Sequence, residues 1–239
     1  MSTNHLSLEE LRRYQAVVIK EFAGQKQIDK FDELVARSIR LDDHKGYLIC
    51  VSELHADDVD MITTLAKWRS EATTFHDGFK VTFEGTKSWL RKLLLDIPDR
   101  ILFIVLDRHG KPIGHLGFAN SLNDQGLMEV DNVIRGVQGA EPGLMSLSIQ
   151  ALLRWAIQNI SPHGFHLKTL EDNTHAIGFY AKLGFNISGK LPLRRVEKDG
   201  VIKFEPQAED DKGLPDKQYV CMSYDPLSAK QVPTTNKQS

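Results

Sequence analysis

Two short stretches of this 239-residue sequence combine residue types suited to holding an anion and handling a proton. The first is Arg135-Gly-Val-Gln-Gly-Ala-Glu-Pro-Gly143, a glycine-bearing loop between a β-prone run and a helical one. A helix start leaves several backbone N–H groups without partners, and the helix dipole adds about half a positive charge there. Glycines let a ligand approach the backbone closely, so such a loop suits a pyrophosphate. It lacks the Lys-Ser/Thr ending of a nucleotide-triphosphate loop and the glycine spacing of a dinucleotide fold. Alone, it reads equally well as a connecting loop. The second stretch is Asn173-Thr-His-Ala-Ile-Gly-Phe-Tyr180-Ala-Lys-Leu-Gly184-Phe185. Asn173 can cap a helix, and Ala176 is small enough for a ligand to press against it. Tyr180 follows one turn later on the same face, and Gly184 is placed to end the helix in the left-handed conformation. By itself this is a capped helix with a core tyrosine.

Other candidates carry charge. Glu129 and Asp131 alternate on the β-prone run and share one face, either as solvated carboxylates or as groups that meet an amine. His115, in Ile113-Gly-His-Leu-Gly117, belongs to the residue type that titrates near neutrality, although a lone strand histidine is more often structural. Arg69, after Trp68, can meet a phosphate or carboxylate or be an ordinary helix-surface arginine. Cys50 and Cys221 fall in β-prone runs and read as buried structural residues without metal-ligand spacing. No Ser–His–Asp or Cys–His arrangement is legible by spacing, which disfavours a covalent enzyme intermediate.

The elements that must position these residues alternate along the chain. Residues 1–46 read as a helical extension, opened by an N-cap sequence at Leu6-Ser7-Leu8-Glu9-Glu10. Strands are expected at 47–54, 100–107, 112–119, 127–135 and 165–170, with two further β-prone stretches at 186–195 and 218–224. Helices are expected at 55–74, 83–95, 144–160 and 175–183. Between the last two strands, 196–217 carries the hairpin signal Lys198-Asp-Gly200 and the acidic run Glu209-Asp-Asp211. Residues 226–239 read as a disordered tail.

Taken together and in this order, the glycine loop with its strand and helix, and then Asn173, Ala176, Tyr180 and Gly184-Phe185, resemble the GNAT superfamily of N-acetyltransferases. The resemblance covers roughly residues 47–225 and marks them as the acyltransferase domain. It implies an α/β (α+β) fold: a mixed, mostly antiparallel twisted sheet, splayed at its strands 4 and 5 (128–135 and 165–170) and flanked by helices. It also implies acetyl-CoA as acyl donor. Asn132, Val133, Ile134 and Arg135 would pair with the pantetheine arm as an added strand does. Gly136, Gln138, Gly139, Gly143, Leu144 and Met145 would hold the pyrophosphate, with Asn173, Ala176 and Tyr180 on the opposite wall. A backbone amide at Val133 or Ile134 would take the oxyanion. Tyr180 matches the general acid, since a phenol stays protonated at neutral pH and can donate to a departing thiolate. Glu129 matches the base, with Asp131 and His115 as the other choices. Asp131 is also expected to bind the acceptor amine, while Trp68, Arg69 and His115 would border its pocket. The chain departs from the family pattern at Ala140 and Met145, where a Gln or Arg and a small residue are usual, and in its extension and its 196–217 stretch.

Glu129-Val-Asp-Asn-Val-Ile-Arg-Gly136, Pro142-Gly-Leu-Met145 and Leu191-Pro-Leu193 are similar to a bacterial subgroup found with surface-polysaccharide enzymes, which implies the amine of a nucleotide-linked sugar as acceptor. A protein N-terminal amine, a small amine, or an inactive acyl-CoA-binding module are the other readings. Composition bounds all of them. Apolar residues are 41% and charged residues 26%, ordinary globular usage, and 30 basic against 32 acidic side chains argue against nucleic acid as the main partner. The longest apolar run, Ile101 to Leu106, is far below the roughly 18–20 residues of a membrane span. No secretory signal is visible. The expectation is a cytoplasmic enzyme without a metal, for which a homodimer is compatible.

Overall fold

The computed structural model describes residues 6–72, 80–198, 201–208 and 210–226. Ser7 and Glu10 form a complete capping box, each side chain taking the other's amide, and start α1 (Leu8–Lys26). One stripe of α1, through Tyr14, Val18 and Phe22, is buried in the same cluster as Phe103, Trp155 and Phe165 of the sheet and a later helix. Polar contacts tie the helix down further. Gln15 Nε2 donates to the Leu122 carbonyl at 3.2 Å, and the buried Lys26 ammonium to the Leu94 and Ile97 carbonyls at 3.2 and 2.6 Å. Phe22→Ala would leave a cavity against Trp155 and should cost about 3–5 kcal/mol in a denaturant titration. A loss below 1 kcal/mol would mean that α1 is only loosely docked.

The chain continues through α2 (Phe31–Ala36), β1 (Ile39–Arg40), β2 (Gly46–Cys50), α3 (Val59–Glu71) and α4 (Phe83–Trp89). A π-helical turn, Leu90–Leu95, extends α4 and stops before Ile97-Pro98, where the proline excludes helical geometry from its predecessor. Then come β3 (Ile101–Asp107), β4 (Pro112–Ala119), β5 (Leu127–Arg135), α5 (Leu144–Asn159), β6 (Gly164–Leu170), α6 (Thr174–Lys182), β7 (Asn186–Lys198), β8 (Val201–Pro206) and β9 (Lys217–Tyr224). The strands form one sheet in the order β1-β2-β3-β4-β5-β6-β9-β7-β8, in which β5–β6 is the parallel pair. Along β3, Ile101, Phe103 and Val105 enter the core shared with α1 and α5, while Leu102 and Ile104 enter a second core with α3 and the turn after α4. Alternation on this strand therefore feeds two opposite helical layers.

The mixed, mostly antiparallel sheet agrees with the fold expected from the sequence, and its strands 4 and 5 are β5 and β6. Two strands exceed that expectation. β1 is two residues long and pairs with Tyr47 and Leu48, and β8 returns along β7 from Val201. The turn signalled by Lys198-Asp-Gly200 centres on 199–200, outside the described residues, as do Glu209 of the acidic run and 227–239 of the expected tail. Cys50 is buried, whereas Cys221 is only partly so. The connection from β8 to β9 is braced by Arg194, whose guanidinium grips both carboxylate oxygens of Asp211 and the Leu214 carbonyl.

Candidate active site

Past Glu129 the sheet opens. β5 and β6 pair only from Leu127↔Gly164 to Glu129↔His166, and β6 continues beside β9 instead. On its other edge β5 bulges against β4, with Asn132 at a φ of 53°. The gap between the strands holds a cleft of about 340 Å³, floored by Glu129, Asp131 and Lys168 and walled by Phe204 of β8 and Tyr219 of β9. A larger cleft of about 820 Å³ runs from Arg135 across the start of α5 to α6. Val133, Asn173, Ala176 and Tyr180 line both, so the two clefts meet at these four residues.

One end of the larger cleft has features that could accept an anion. Gly143 caps α5 with a φ of 85°, which a residue with a Cβ adopts only under strain, and open space surrounds the position. No acidic residue stands in the first turn of α5. Glu141, the nearby loop acid, is tied to Lys45, whose ammonium holds its carboxyl below the usual range. Arg135 straps the loop to itself through the Val137 and Ala140 carbonyls at 3.3 and 3.0 Å. The opposite wall is α6, where the Asn173 side chain accepts the Ala176 amide at 3.1 Å and Gly184 takes the left-handed conformation after the last turn.

Charge is concentrated at the junction. Glu129 is 8% exposed and fully engaged: Asn120 Nδ2 donates to one oxygen at 2.5 Å and Lys168 Nζ stands 3.1 Å from the other. Asp131 accepts from Asn132 Nδ2 at 2.6 Å, and burial, with Glu129 nearby, holds its carboxyl above the usual range. Tyr180 is 9% exposed, and burial reinforced by the Asp131 charge pushes its hydroxyl well above a normal phenol. The junction thus combines a firmly protonated hydroxyl with a carboxylate of raised proton affinity, a pairing suited to giving one proton and taking another.

The structure brings Glu129, Asp131, Asn132, Val133, Ile134, Arg135, Gly143, Leu144, Met145, Asn173, Ala176 and Tyr180 to these two clefts. Gln138 and Gly139 line an adjoining depression with Arg108, His109 and Lys111. Gly136 lies against the Trp68 ring, so close that a Cβ would stand 2.1 Å from it, and its amide donates to the Ile113 carbonyl. Trp68, Arg69 and His115 are not brought to the clefts. Trp68 is buried in the core with Ile62 and Leu65, Arg69 stacks over Trp89 at 4.1 Å, and His115 is wholly buried. Sequence reasoning missed Lys168, Asn120, Phe204 and Tyr219. Alternation on β6, with Phe165 and Leu167 buried, would have turned Lys168 away from the core; nothing local marks the other three.

Residues 48–186 match the family described as the acetyltransferase (GNAT) domain. Solved structures share the fold at low identity. Spermidine/spermine N-acetyltransferase SpeG from Vibrio cholerae, in complex with manganese ions, is 14% identical with a TM-score of 0.54, over 79% of this chain and 98% of that one. RimL, a ribosomal alpha-N-protein acetyltransferase in complex with coenzyme A, is 15% identical with a TM-score of 0.56, over 79% and 98%. FdhC, a nucleotide-linked sugar GNAT in its apo form, is 15% identical with a TM-score of 0.55, over 81% and 92%.

Proposed function

This chain belongs to the GNAT acetyltransferase family, and from that premise we propose that it moves an acetyl group from acetyl-CoA directly to the primary amine of an amino sugar. The observation that carries the reading is the junction of the two clefts at Val133, Asn173, Ala176 and Tyr180, where a donor from one side meets an acceptor from the other. The residues present fit the coenzyme: the start of α5 is glycine-capped, free of acids in its first turn, and beside an acid already neutralised by Lys45. The coenzyme supplies an activated acyl group as a thioester. The chain supplies the rest. The Val133 amide receives the acyl oxygen as it gains charge, Tyr180 Oη delivers a proton to the sulfur side, and Asp131 takes one from the amine. Glu129, clamped by Lys168 and Asn120, is already paired and leaves Asp131 as the carboxylate to meet the amine.

Phe204 and Tyr219 favour an acceptor with an apolar face to lay on them, and an amino sugar has one where its C–H bonds point together. A cation such as Lys168 beside them suits a linked phosphate. The test is thiol release from acetyl-CoA over a panel of nucleotide-linked amino sugars, spermidine and a peptide with a free N-terminus. Turnover confined to the peptide or the polyamine would move the acceptor class. Heat protection by acetyl-CoA with no turnover on any amine would leave a binding module.

Asp131→Asn separates activity from stability. The folded carboxyl lies above its unfolded value of about 3.9, so the fold binds the extra proton between the two values and loses stability as pH rises through that window. At neutral pH the variant should therefore melt above the wild type. Its turnover should fall by at least about tenfold, and the acid limb of the wild-type pH–rate profile should disappear. Wild-type turnover in Asp131→Asn with loss in Glu129→Gln would transfer the role to Glu129.

A further inference from the structure

The bulge in β5 leaves one backbone group in need of a donor, and a side chain of β4 provides it. Gly117 pairs with Asp131 and His115 with Ile134, so β5 carries one residue more than β4 between these pairs. The surplus includes Asn132, held in the left-handed region at a φ of 53° despite its Cβ, a conformation that costs on the order of 1 kcal/mol. A carbonyl turned out of a ladder and partly shielded from water is stabilised by finding another donor. The Asn132 carbonyl receives one from His115 Nδ1 at 2.7 Å. A carbonyl only accepts, so Nδ1 carries the proton, and burial holds the ring neutral by pulling its pKa down to about 4. The other nitrogen, Nε2, is then a buried acceptor with no hydrogen-bond partner among the described residues. A leucine would fill this volume without an unpaired Nε2, but it would leave the Asn132 carbonyl without its donor. What the histidine adds is the Nδ1 donor. Its neighbours cannot replace it, because Gly114 and Gly117 lie so close to the flanking strands that a Cβ would stand 2.3 and 2.0 Å from the Ile134 and Ile101 carbonyl oxygens.

The Asn132 carbonyl and the Val133 N–H belong to one trans peptide plane, in which they point in opposite directions. Drawing the carbonyl toward β4 turns the amide away from it, to the side where β6 has left the ladder. We propose that His115 is a positioning residue for acyl transfer, whose Nδ1–H fixes the Asn132 carbonyl and thereby aims the Val133 amide into the junction of the clefts. The inference rests on the function proposed above, in which that amide receives the acyl oxygen.

Two variants separate this role from packing. His115→Asn keeps an N–H donor at the same number of bonds from the backbone as Nδ1, whereas His115→Leu keeps apolar volume and loses the donor. Both should lower the melting temperature, asparagine by leaving a cavity and leucine by leaving the Asn132 carbonyl without its donor. Activity should separate them. His115→Leu should lose about ten- to a hundredfold in kcat with the KM for acetyl-CoA within about threefold, while His115→Asn stays within about threefold of the wild type in both. A leucine variant with activity equal to or above the asparagine one would overturn the role. Should His115→Leu fail to fold, His115→Ala stands in its place. Tyr180→Phe, measured in parallel, tells the failures apart. Loss there with full kcat in the donorless variant removes the role of His115 alone; full activity in both removes the acid role of Tyr180 as well, and only a wild type without turnover on any amine removes the acyl-transfer reading.

Discussion

Tyr180→Phe should slow acetyl transfer by about 10²–10⁴-fold while changing the melting temperature and the affinity for acetyl-CoA very little. The substitution removes one hydroxyl and almost no volume from a side chain packed between Phe179 and Phe185. Burial and the Asp131 charge both favour the protonated hydroxyl, so at neutral pH it is always available as a donor. A coenzyme thiolate, whose conjugate acid has a pKa of about 8.5, is a good recipient. The effect is read in single turnover, where slow product release does not mask it. A wild-type rate under those conditions would remove Tyr180 as the acid.

Gly143→Asp should abolish the stabilisation that acetyl-CoA gives the wild type, which at a hundredfold excess over Kd is about 2.7 kcal/mol. Sterics are not the cause, since a Cβ there would meet nothing within 4 Å. Aspartate tolerates a positive φ better than most residues, and a carboxylate at a helix start interacts favourably with the dipole. The apo protein should therefore melt only modestly below the wild type, the dipole interaction offsetting part of the backbone strain at this φ. What changes is that the start of α5 acquires its own anion, in the position from which it would attract another. Gly143→Ala is the control and should keep most of the shift. An unchanged shift in Gly143→Asp would relocate the pyrophosphate, with the depression beside Gln138 and Gly139 as the next place to look.

Much of this architecture is legible in the sequence, for identifiable reasons. Strands β3 to β6 are short apolar runs between clear turns, and α5 and α6 carry helical periodicity with a cap at Asn173. β1 escapes because two residues carry no periodicity, and it exists only because Tyr47 and Leu48 are there to pair with. Trp68 and Arg69 show the opposite failure. The spacing Ile62, Leu65, Trp68 marks a core stripe on α3, and the tryptophan follows it inward, against Gly136 and Ile134. The type of residue suggested a ligand, but its spacing was the better guide. His115 lies between two glycines that force strands together, which announces close backbone approach rather than an open pocket. The acceptor wall is the least legible part. Phe204 and Tyr219 reach Glu129 only through the strand order, with β9 inserted between β6 and β7, and no local pattern encodes that insertion.

The docking of α1 also sets an order of assembly. Its contacts to Leu122 and Leu127 span 107 and 113 residues of chain, and its aromatic partner Trp155 lies further on still. During synthesis α1 is therefore complete well before the strands and the helix that cover most of its apolar stripe have been made. At about 5–20 residues per second, its apolar stripe stays uncovered for on the order of ten seconds, far longer than a helix needs to form. Closing such distant contacts is slow relative to local ones, so the seating of this helix comes late in forming the core. A nascent chain stalled before β3 would expose Tyr14, Val18 and Phe22 together, a stripe for a chaperone to recognise or a neighbouring chain to capture.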